Sequence, residues 1–218
     1  MPDTNPFDPQ DMNAAIEALG ANLNSGWQLG LQMEIPKVES LRRIVICGVG
    51  GSAIGGDFAT GYLSDQLPIP AMAYRNYGLP AWAKGPETLV ICSSHSGNTE
   101  ETLSSFNEAL ERGCSLMSIT TGGKLAELSA TNGKITWKFN HVGQPRTAIG
   151  WAVGLLLALF FRLGLIEDQS LAVEEAASVL AEGIQKLGKD SPVSSNPAKR
   201  LAGQLLGRNI VIYAAGEL

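Results

Sequence analysis

Two segments of the chain share a pattern that restricts its fold more than any other feature. In each, a β-branched apolar run ends in small residues and passes into a helical pattern; they are residues 44–56 and residues 89–102. This pattern predicts a parallel β-strand that leads through a short loop into a helix. Because open parallel sheets bind ligands beyond the carboxyl ends of their strands, we expect both loops at the ligand-binding edge.

The chemistry of the two loops favours an anion. A helix N-terminus presents unpaired N–H groups and about half a positive charge, which attract a negatively charged ligand. The second loop also carries hydroxyl groups that can donate to phosphate oxygens; they belong to Ser93, Ser94, Ser96 and Thr99. Neither segment contains a lysine. The two loops therefore predict a site for a phosphorylated small molecule that relies on backbone amides and hydroxyl groups.

Composition and charge disfavour several classes of protein. Hydrophobic residues make up 44% of the 218 residues and charged residues 17%, which is typical of a globular chain. The net charge of −5, without a basic patch, disfavours nucleic-acid binding, since that binding depends on many Lys and Arg residues. The polar start of the chain is unlike a signal peptide. We therefore expect a cytoplasmic protein that binds a small molecule.

Cysteine and histidine are too sparse for a disulfide framework or a dedicated metal site. Cys47 and Cys92 each end an apolar run, Cys114 begins another, and no C-x-x-C motif occurs. This placement is typical of small buried residues in a reducing compartment. The chain has only two histidines, His95 and His141, so we predict no metal site.

One uncharged stretch, residues 147–161, raises the question of a membrane span. It is bounded by Arg146 and Arg162 and is shorter than the roughly 20 residues that cross a bilayer. Gly150 and Gly154 would let another backbone approach closely. We predict a helix buried in the core of a soluble protein, with apolar surface left for a dimer interface and no membrane contact.

Strand and helix patterns alternate along most of the chain. The predicted strands are residues 44–47, 69–74, 88–92, 115–119 and 135–139. The predicted helices are residues 11–23, 54–63, 99–112, 125–128, 147–161 and 169–187, whereas residues 27–35 receive no assignment. Gly20 is expected near the end of the first of these helices. This alternation predicts an α/β fold with a doubly wound, parallel, five-stranded sheet flanked by helices.

The C-terminal residues predict the beginning of a second unit. Residues 191–196 have the composition of a linker, Asn196 suits a helix N-cap, and Gly207 suits the end of that helix. Residues 210–216 form another strand pattern that runs into small residues. The predicted domains are residues 1–190 and, incomplete, residues 191–218.

The first loop also allows a second interpretation. Residues 48–53 match the dinucleotide-binding pattern G-x-G-x-x-[G/A], and Arg75 follows the next strand as a partner for a 2′-phosphate. This alternative is an NADP-dependent oxidoreductase with a Rossmann fold. A dinucleotide site has no need of the hydroxyl-rich second loop, so we rank it below a site for a smaller phosphorylated ligand.

Four ordered motifs make the chain similar to a known family; they are residues 49–52, 94–102, 119–125 and 144–148. The first two resemble a sugar isomerase (SIS) domain, and the last two narrow the resemblance to the bifunctional phosphoglucose/phosphomannose isomerases. The resemblance implies a flavodoxin-like SIS fold and a homodimer. It also implies interconversion of glucose 6-phosphate or mannose 6-phosphate with fructose 6-phosphate through a cis-enediol(ate), without a metal or a nucleotide cofactor.

The resemblance implies roles for particular residues. The sugar phosphate would be held by Gly51, Ser52, Ser94, Ser96 and Thr99. Arg146 would be catalytic and would stabilise negative charge on the intermediate. For His95 and His141 we predict loop or surface roles.

The chain also departs from the family pattern. Such isomerases carry two SIS domains, and their catalytic glutamate and ring-opening histidine lie in the second. Residues 197–216 resemble only the opening helix and strand of that domain. We therefore expect the 218-residue chain to bind a sugar phosphate and to isomerise it at a negligible rate. A different class of function, a non-catalytic SIS module that senses sugar phosphates, stays open as the alternative.

Overall fold

The computed structural model describes residues 8–213, so predictions that fall on residues 1–7 or 214–218 lie outside it. Its strands are β1 (Arg43–Cys47), β2 (Ala71–Tyr74), β3 (Thr88–Ser94), β4 (Ser115–Thr120) and β5 (Ile135–Lys138). Its helices are α1 (Met12–Glu17), α2 (Leu19–Gln32), α3 (Gly51–Tyr62), α4 (Glu100–Glu111), α5 (Gly123–Thr131), α6 (Ile149–Arg162), α7 (Ser170–Leu187) and α8 (Pro197–Leu205), with a 3₁₀ turn over Pro145–Ala148. All five predicted strands are present, with small shifts at their ends.

The strands form one parallel sheet in the order β2-β1-β3-β4-β5. β1 lies between β2 and β3, so that Cys47 is opposite Tyr74 on one side and Cys92 on the other. The predicted doubly wound, five-stranded α/β fold is confirmed. Because all strands point the same way, the loops after β1, β3 and β4 lie at the same edge of the sheet.

Helices cover both faces of the sheet. Alternate residues of β1 point to opposite faces: Ile44 and Ile46 pack with α2, α3 and α6, whereas Val45 and Cys47 pack with α4 and α5. Cys47 is a free, buried thiol, and burial raises its pKa to about 12. It therefore behaves as a small core residue, as the sequence predicts.

The N-terminal helices differ from the prediction of one helix over residues 11–23. The first helix, α1, ends at Glu17, and after Ala18 the second helix, α2, continues through Gly20 to Gln32. Gly20 does not end a helix because its role is in packing. A Cβ at this position would lie 3.0 Å from the carbonyl oxygen of Ala177 in α7. The glycine thus allows two helices to touch, a contact that local sequence does not reveal.

The uncharged stretch forms a core helix, as predicted. By length and composition Pro145–Arg162 also meets the criteria for a membrane span, yet 67% of that window is buried inside the protein. α6 lies so close to α2 that a Cβ on Gly154 would be 2.3 Å from the carbonyl oxygen of Leu23. α2 covers the small residues of this helix, whereas Ile149 and Val153 are partly exposed, so the dimer interface stays a prediction.

The C-terminal helix is present, and the strand predicted after it is absent from the described residues. Asn196 caps α8 by accepting the N–H of Lys199 at 3.0 Å, and Gly207 has a φ of 71°, as at a helix end. Residues 210–213 are exposed and lie outside the sheet, so the strand over residues 210–216 is wrong for the part that the structure describes. A strand needs a neighbour to satisfy its backbone hydrogen bonds, and this segment has none within residues 8–213. The division into two domains stays a prediction.

Candidate functional site

Four chain segments meet at the carboxyl edge of the sheet, and His95 links them. They are the loops after β1, β3 and β4 and the segment that follows β5. The N–H of His95 donates to Oγ of Ser52 at 3.1 Å, and its carbonyl oxygen accepts from the N–H (3.1 Å) and Oγ1 (2.7 Å) of Thr121. Its imidazole reaches His141 in the segment after β5. The two predicted loops are therefore neighbours in space.

The second loop forms a hydroxyl cluster that keeps hydrogens to donate. Oγ of Ser94 and Oγ1 of Thr99 are 2.9 Å apart, and Oγ of Ser94 also accepts the N–H of Gly97 at 3.1 Å. One hydroxyl hydrogen is used between the two side chains, so the other stays available. Oγ of Ser96 accepts the N–H of Asn98 at 3.2 Å, which leaves the hydroxyl hydrogen of Ser96 available too.

Two helix N-termini add backbone donors to this cluster. Thr99 is the N-cap residue of α4, and its side chain makes no capping hydrogen bond but pairs with Ser94. The first N–H groups of α4 thus have no partner within the helix. Ser52 lies in the first turn of α3, and it too accepts a hydrogen bond and keeps its hydroxyl hydrogen. This edge of the sheet is therefore suited to an anion.

Arg146 lies on the 3₁₀ turn before α6, directly against the first loop. A Cβ on Gly51 would lie 2.8 Å from the carbonyl oxygen of Pro145 and 3.0 Å from the nitrogen of Arg146. Gly51 therefore brings two backbones into contact. The side chain of Arg146 is exposed, and it makes no hydrogen bond or ion pair with the residues that the structure describes. Its guanidinium donors are available beside the first loop.

Two histidines lie within the site. Nε2 of His95 is 2.9 Å from Nδ1 of His141, and Nε2 of His141 is 3.3 Å from Oγ1 of Thr147. Phe139 packs edge-on against His95, and both imidazoles are half-buried. Burial lowers the pKa of both histidines, and the neighbouring imidazole of His141 lowers the pKa of His95 further. The two residues lie on loops, as predicted, but they line the site and are uncharged at neutral pH.

The structure brings every predicted site residue to this edge; they are Gly51, Ser52, Ser94, Ser96, Thr99 and Arg146. Ser93, the remaining hydroxyl of the loop, is only 5% exposed and points to the face of β3 opposite Ser94. The sequence reasoning missed Thr121, Thr147 and the paired histidines. The position of His95 between Ser94 and Ser96 is the one signal that could have drawn attention to it.

The dinucleotide interpretation loses its main support. Arg75, the expected partner of a 2′-phosphate, forms an ion pair with Asp57 of α3. Its guanidinium already has a carboxylate partner, and that carboxylate would repel a phosphate. Two glycines of the first loop instead allow close packing: Gly51 contacts the 3₁₀ turn, and a Cβ on Gly48 would lie 2.8 Å from the carbonyl oxygen of Ser93.

The strand order and the hydroxyl-rich loop at a helix N-terminus define an α/β domain of the SIS fold. A solved structure of a proposed phosphosugar isomerase from Bacillus subtilis has the same fold. It matches with a TM-score of 0.56 and 18% identity, over 77% of this chain and 53% of that chain. No family model matches the chain.

Comparison with curated proteins is more specific. The chain is 37% identical over 203 residues to the bifunctional phosphoglucose/phosphomannose isomerase of Caldicellulosiruptor bescii, covering 93% of this chain and 60% of that protein. Further relatives carry the same description. The chain is also 30% identical over 189 residues to the D-glucosamine-6-phosphate 4-epimerase of Sulfolobus acidocaldarius, covering 86% of this chain and 56% of that protein.

The chain is thus homologous to the bifunctional phosphoglucose/phosphomannose isomerases, and it spans about half the length of the curated relatives that it matches.

Proposed function

We propose that this chain binds the phosphate group of a sugar phosphate at the edge formed by its first two loops. The observation that carries the proposal is a set of unused hydroxyl hydrogens, contributed by Ser52, by Ser96 and by the Ser94–Thr99 pair. They lie at the N-termini of α3 and α4, whose backbone N–H groups are also unpaired. A phosphate monoester presents three strong acceptor oxygens, which suits this set of donors.

The distribution of charge supports a small anion with its sugar end near Arg146. Within the described parts of the two loops and the 3₁₀ turn, Arg146 carries the one full positive charge. It contacts the first loop through Gly51, whereas the hydroxyl cluster of Ser94, Ser96 and Thr99 belongs to the second loop. A phosphate held by the hydroxyl cluster would therefore leave Arg146 to contact the sugar.

The reaction we propose for the family member is aldose–ketose isomerisation. Glucose 6-phosphate or mannose 6-phosphate would convert to fructose 6-phosphate through a cis-enediol(ate), and the guanidinium of Arg146 would stabilise its negative charge. Proton transfer between C1 and C2 requires a base held at those carbons. The carboxylates beside the second loop, Glu100 and Glu101, lie in the first turn of α4, and Glu100 accepts a hydrogen bond from Tyr77. We assign neither of them as the base. We therefore expect the chain alone to turn over its substrate at a negligible rate.

Isothermal calorimetry tests the binding proposal. Fructose 6-phosphate should bind saturably, unphosphorylated fructose should not, and inorganic phosphate should bind more weakly and compete. Absence of saturable binding at millimolar fructose 6-phosphate, with the fold verified by circular dichroism, would reject the proposal. A coupled isomerase assay on the same sample tests the second expectation, and robust turnover would mean that a base within this chain has been overlooked.

A sugar-phosphate-sensing module is the alternative, and a related epimerase activity is a second candidate. The chain is also similar to a protein described as a D-glucosamine-6-phosphate 4-epimerase, which acts on a different sugar phosphate. We therefore propose the phosphate-binding site independently of the reaction. Glucosamine 6-phosphate and fructose 6-phosphate should therefore be titrated in parallel. Tighter binding of glucosamine 6-phosphate would change the proposed substrate to the amino sugar, and the proposed phosphate-binding edge would stay the same.

The remaining proposals concern assembly and location. A homodimer is supported by apolar side chains on the outer face of α3, where Phe58 is 62% exposed and Ile54 and Tyr62 are about half exposed. We also propose a cytoplasmic location and a reaction that uses neither a metal nor a nucleotide cofactor.

A further inference from the structure

The histidine pair belongs to a continuous chain of hydrogen bonds whose direction can be worked out. Oγ1 of Thr147 donates its only hydrogen to the carbonyl oxygen of Gln144 at 2.8 Å, so it must accept from Nε2–H of His141. Nδ1 of neutral His141 then carries no hydrogen and accepts from Nε2–H of His95. Both histidines are thus Nε2–H tautomers, and Nδ1 of His95 carries a lone pair.

This chain of hydrogen bonds connects the phosphate-binding loops to the segment that carries Arg146. The backbone of His95 is fixed by Ser52 and Thr121, on the loops after β1 and β4. Its side chain bonds His141, which is followed by exposed residues and then by the 3₁₀ turn Pro145–Ala148. This segment also contacts the first loop through the backbone at Gly51, and Ala148 at its C-terminal end is buried in the core.

We propose that His95 is a positioning residue, which holds Arg146 in place at the sugar end of the site through its hydrogen bond to His141. The proposal rests on the proposed sugar-phosphate function, because its consequence is ligand affinity. His95 acts through the segment 141–147 and need not touch the ligand. The bond requires His141 to accept a hydrogen, so it exists only while His141 is neutral.

Protonation therefore affects the two histidines differently. A proton on Nδ1 of His141 would set two donors against each other across 2.9 Å and break the bond. A proton on Nδ1 of His95 would leave the bond intact. The charged groups of the elements around the segment are Arg146 on the 3₁₀ turn, Asp11 across a cleft from it, and Lys124 in the first turn of α5. Burial is the first cause of the lowered pKa of each histidine, and none of these three charges contributes to it.

A double-mutant cycle tests the positioning role. His95→Ala should weaken fructose 6-phosphate binding by about two- to tenfold, the range for one lost hydrogen bond. His95→Gln, whose amide N–H can replace Nε2–H, should restore most of the affinity. In an Arg146→Ala background the effect of His95→Ala should shrink to less than about twofold, because coupled residues are not additive. An equal loss in both backgrounds would overturn the proposal, since it would mean that His95 contacts the ligand independently.

The pH dependence of fructose 6-phosphate affinity separates positioning from a merely structural role, because a merely structural histidine would not change it. The phosphate group itself titrates with a pKa of about 6, in every variant alike. His141→Asn keeps an acceptor for His95 and does not titrate, so its affinity should fall less towards acid pH than that of the wild type. Parallel dependence of affinity on pH in the wild type and in His141→Asn would overturn the proposal.

A measurement without ligand separates the proposal from the proposed function. Two-dimensional ¹H–¹⁵N spectra should show both imidazoles as Nε2–H tautomers. Both substitutions remove the ring current of the imidazole, so the backbone amide shifts of residues 142–144, 146 and 147 should move in both variants, and further in His95→Ala than in His95→Gln. If the wild type binds no sugar phosphate, the proposed function fails, and these spectra alone decide whether His95 positions the segment. Equal shift changes in His95→Ala and His95→Gln would refute the positioning role even if the ligand binds.

Discussion

The two loop–helix units at the ligand-binding edge have similar sequence patterns and different structures. In the unit of β1 and α3, Gly51 brings the backbone against the 3₁₀ turn, and Ser52 is the single hydroxyl directed to the site. In the unit of β3 and α4, Ser94 and Thr99 bond to each other and hold a cluster of donors at the helix N-terminus. The first unit thus serves mainly packing, and the second serves mainly ligand binding.

The two helices also differ on their outer faces. α3 exposes apolar side chains, among them Phe58, whereas α4 buries its large apolar residue, Phe106, and begins with two acidic residues. A glycine- and alanine-rich helix such as α3 can lie close to α6, where a Cβ on Gly55 would lie 2.5 Å from the Cβ of Ala152. The contrast shows that one strand–loop–helix pattern can support two kinds of contact.

The largest effect is expected from a methyl group added at Gly51, because it tests whether the unit of β1 and α3 serves packing. Gly51→Ala would place a Cβ 2.8 Å from a backbone oxygen, which cannot move away as a flexible side chain could. We expect a loss of about 1–3 kcal/mol of stability from overpacking, together with weaker fructose 6-phosphate binding as the Arg146 turn shifts. Denaturant unfolding and calorimetry measure the two effects.

Gly61→Ala is the matched control, because it lies in the same helix and a Cβ there meets nothing within 4 Å. It should leave binding unchanged and keep or raise stability, since alanine favours a helix. Equal behaviour of the two variants would remove the packing role assigned to the first loop.

Alanine variants of two serines in the second loop should differ in effect, one lowering stability and the other lowering ligand affinity. Ser94→Ala removes the hydroxyl that bonds Thr99 and the N–H of Gly97, while the carbonyl oxygen of Ser94 stays an acceptor for that N–H, so it should cost about 0.5–1.5 kcal/mol of stability. Ser96 is exposed, so Ser96→Ala should barely change the melting temperature and should weaken phosphosugar binding by about 0.5–3 kcal/mol. Thr99→Ala should weaken binding within the same range, with some loss of stability through its bond to Ser94.

Ser178→Ala, at an exposed position of α7, is the control for both measurements. Thermal unfolding and calorimetry with fructose 6-phosphate and fructose would distinguish the roles. A Ser96→Ala variant that loses affinity equally for both sugars would contradict the assignment of its hydroxyl to the phosphate.

The outer face of α3 predicts self-association. Phe58→Asp should convert a homodimer into a monomer, because a charge in an apolar interface is unfavourable unless it is paired. Light scattering on the wild type and the variant measures the change. Leu171→Asp, at an 80% exposed position on α7, should leave the assembly as it is. A wild type that is already a monodisperse monomer would disprove the prediction.

The smallest effect concerns pH and stability. The pKa values of His95 and His141 lie below the ordinary value of 6.5, so the unfolded chain binds more protons than the folded one in the range just below that value. Their contribution to stability is therefore complete above pH 6.5 and is lost progressively as the pH falls below it. Melting temperatures between about pH 7.5 and about pH 5.5 should decrease more in the wild type than in His141→Asn, whereas carboxylates affect both alike. Identical slopes would argue against the lowered pKa values.

Local sequence was sufficient for the sheet and for the position of the candidate site. Alternating β-branched and helical patterns predicted all five strands, because the central strands β1, β3 and β4 are buried on both faces and the loops after β1 and β3 contain small residues at their turns. The same loops placed Ser52, Ser94 and Thr99 at one edge, since parallel strands end on the same side. These features follow from short-range periodicity and from the direction of the chain.

Tertiary structure decided what depends on contacts between distant residues. Gly20 was expected to end a helix and instead packs against α7, and residues 210–213 have the composition of a strand but no neighbour to pair with among the described residues. His95 and His141 are far apart in sequence and share a hydrogen bond only because the loops after β3 and β5 meet. A local pattern specifies which conformation a segment prefers. Whether a glycine, a strand or a histidine finds its partner depends on the packing of the whole sheet and its helices.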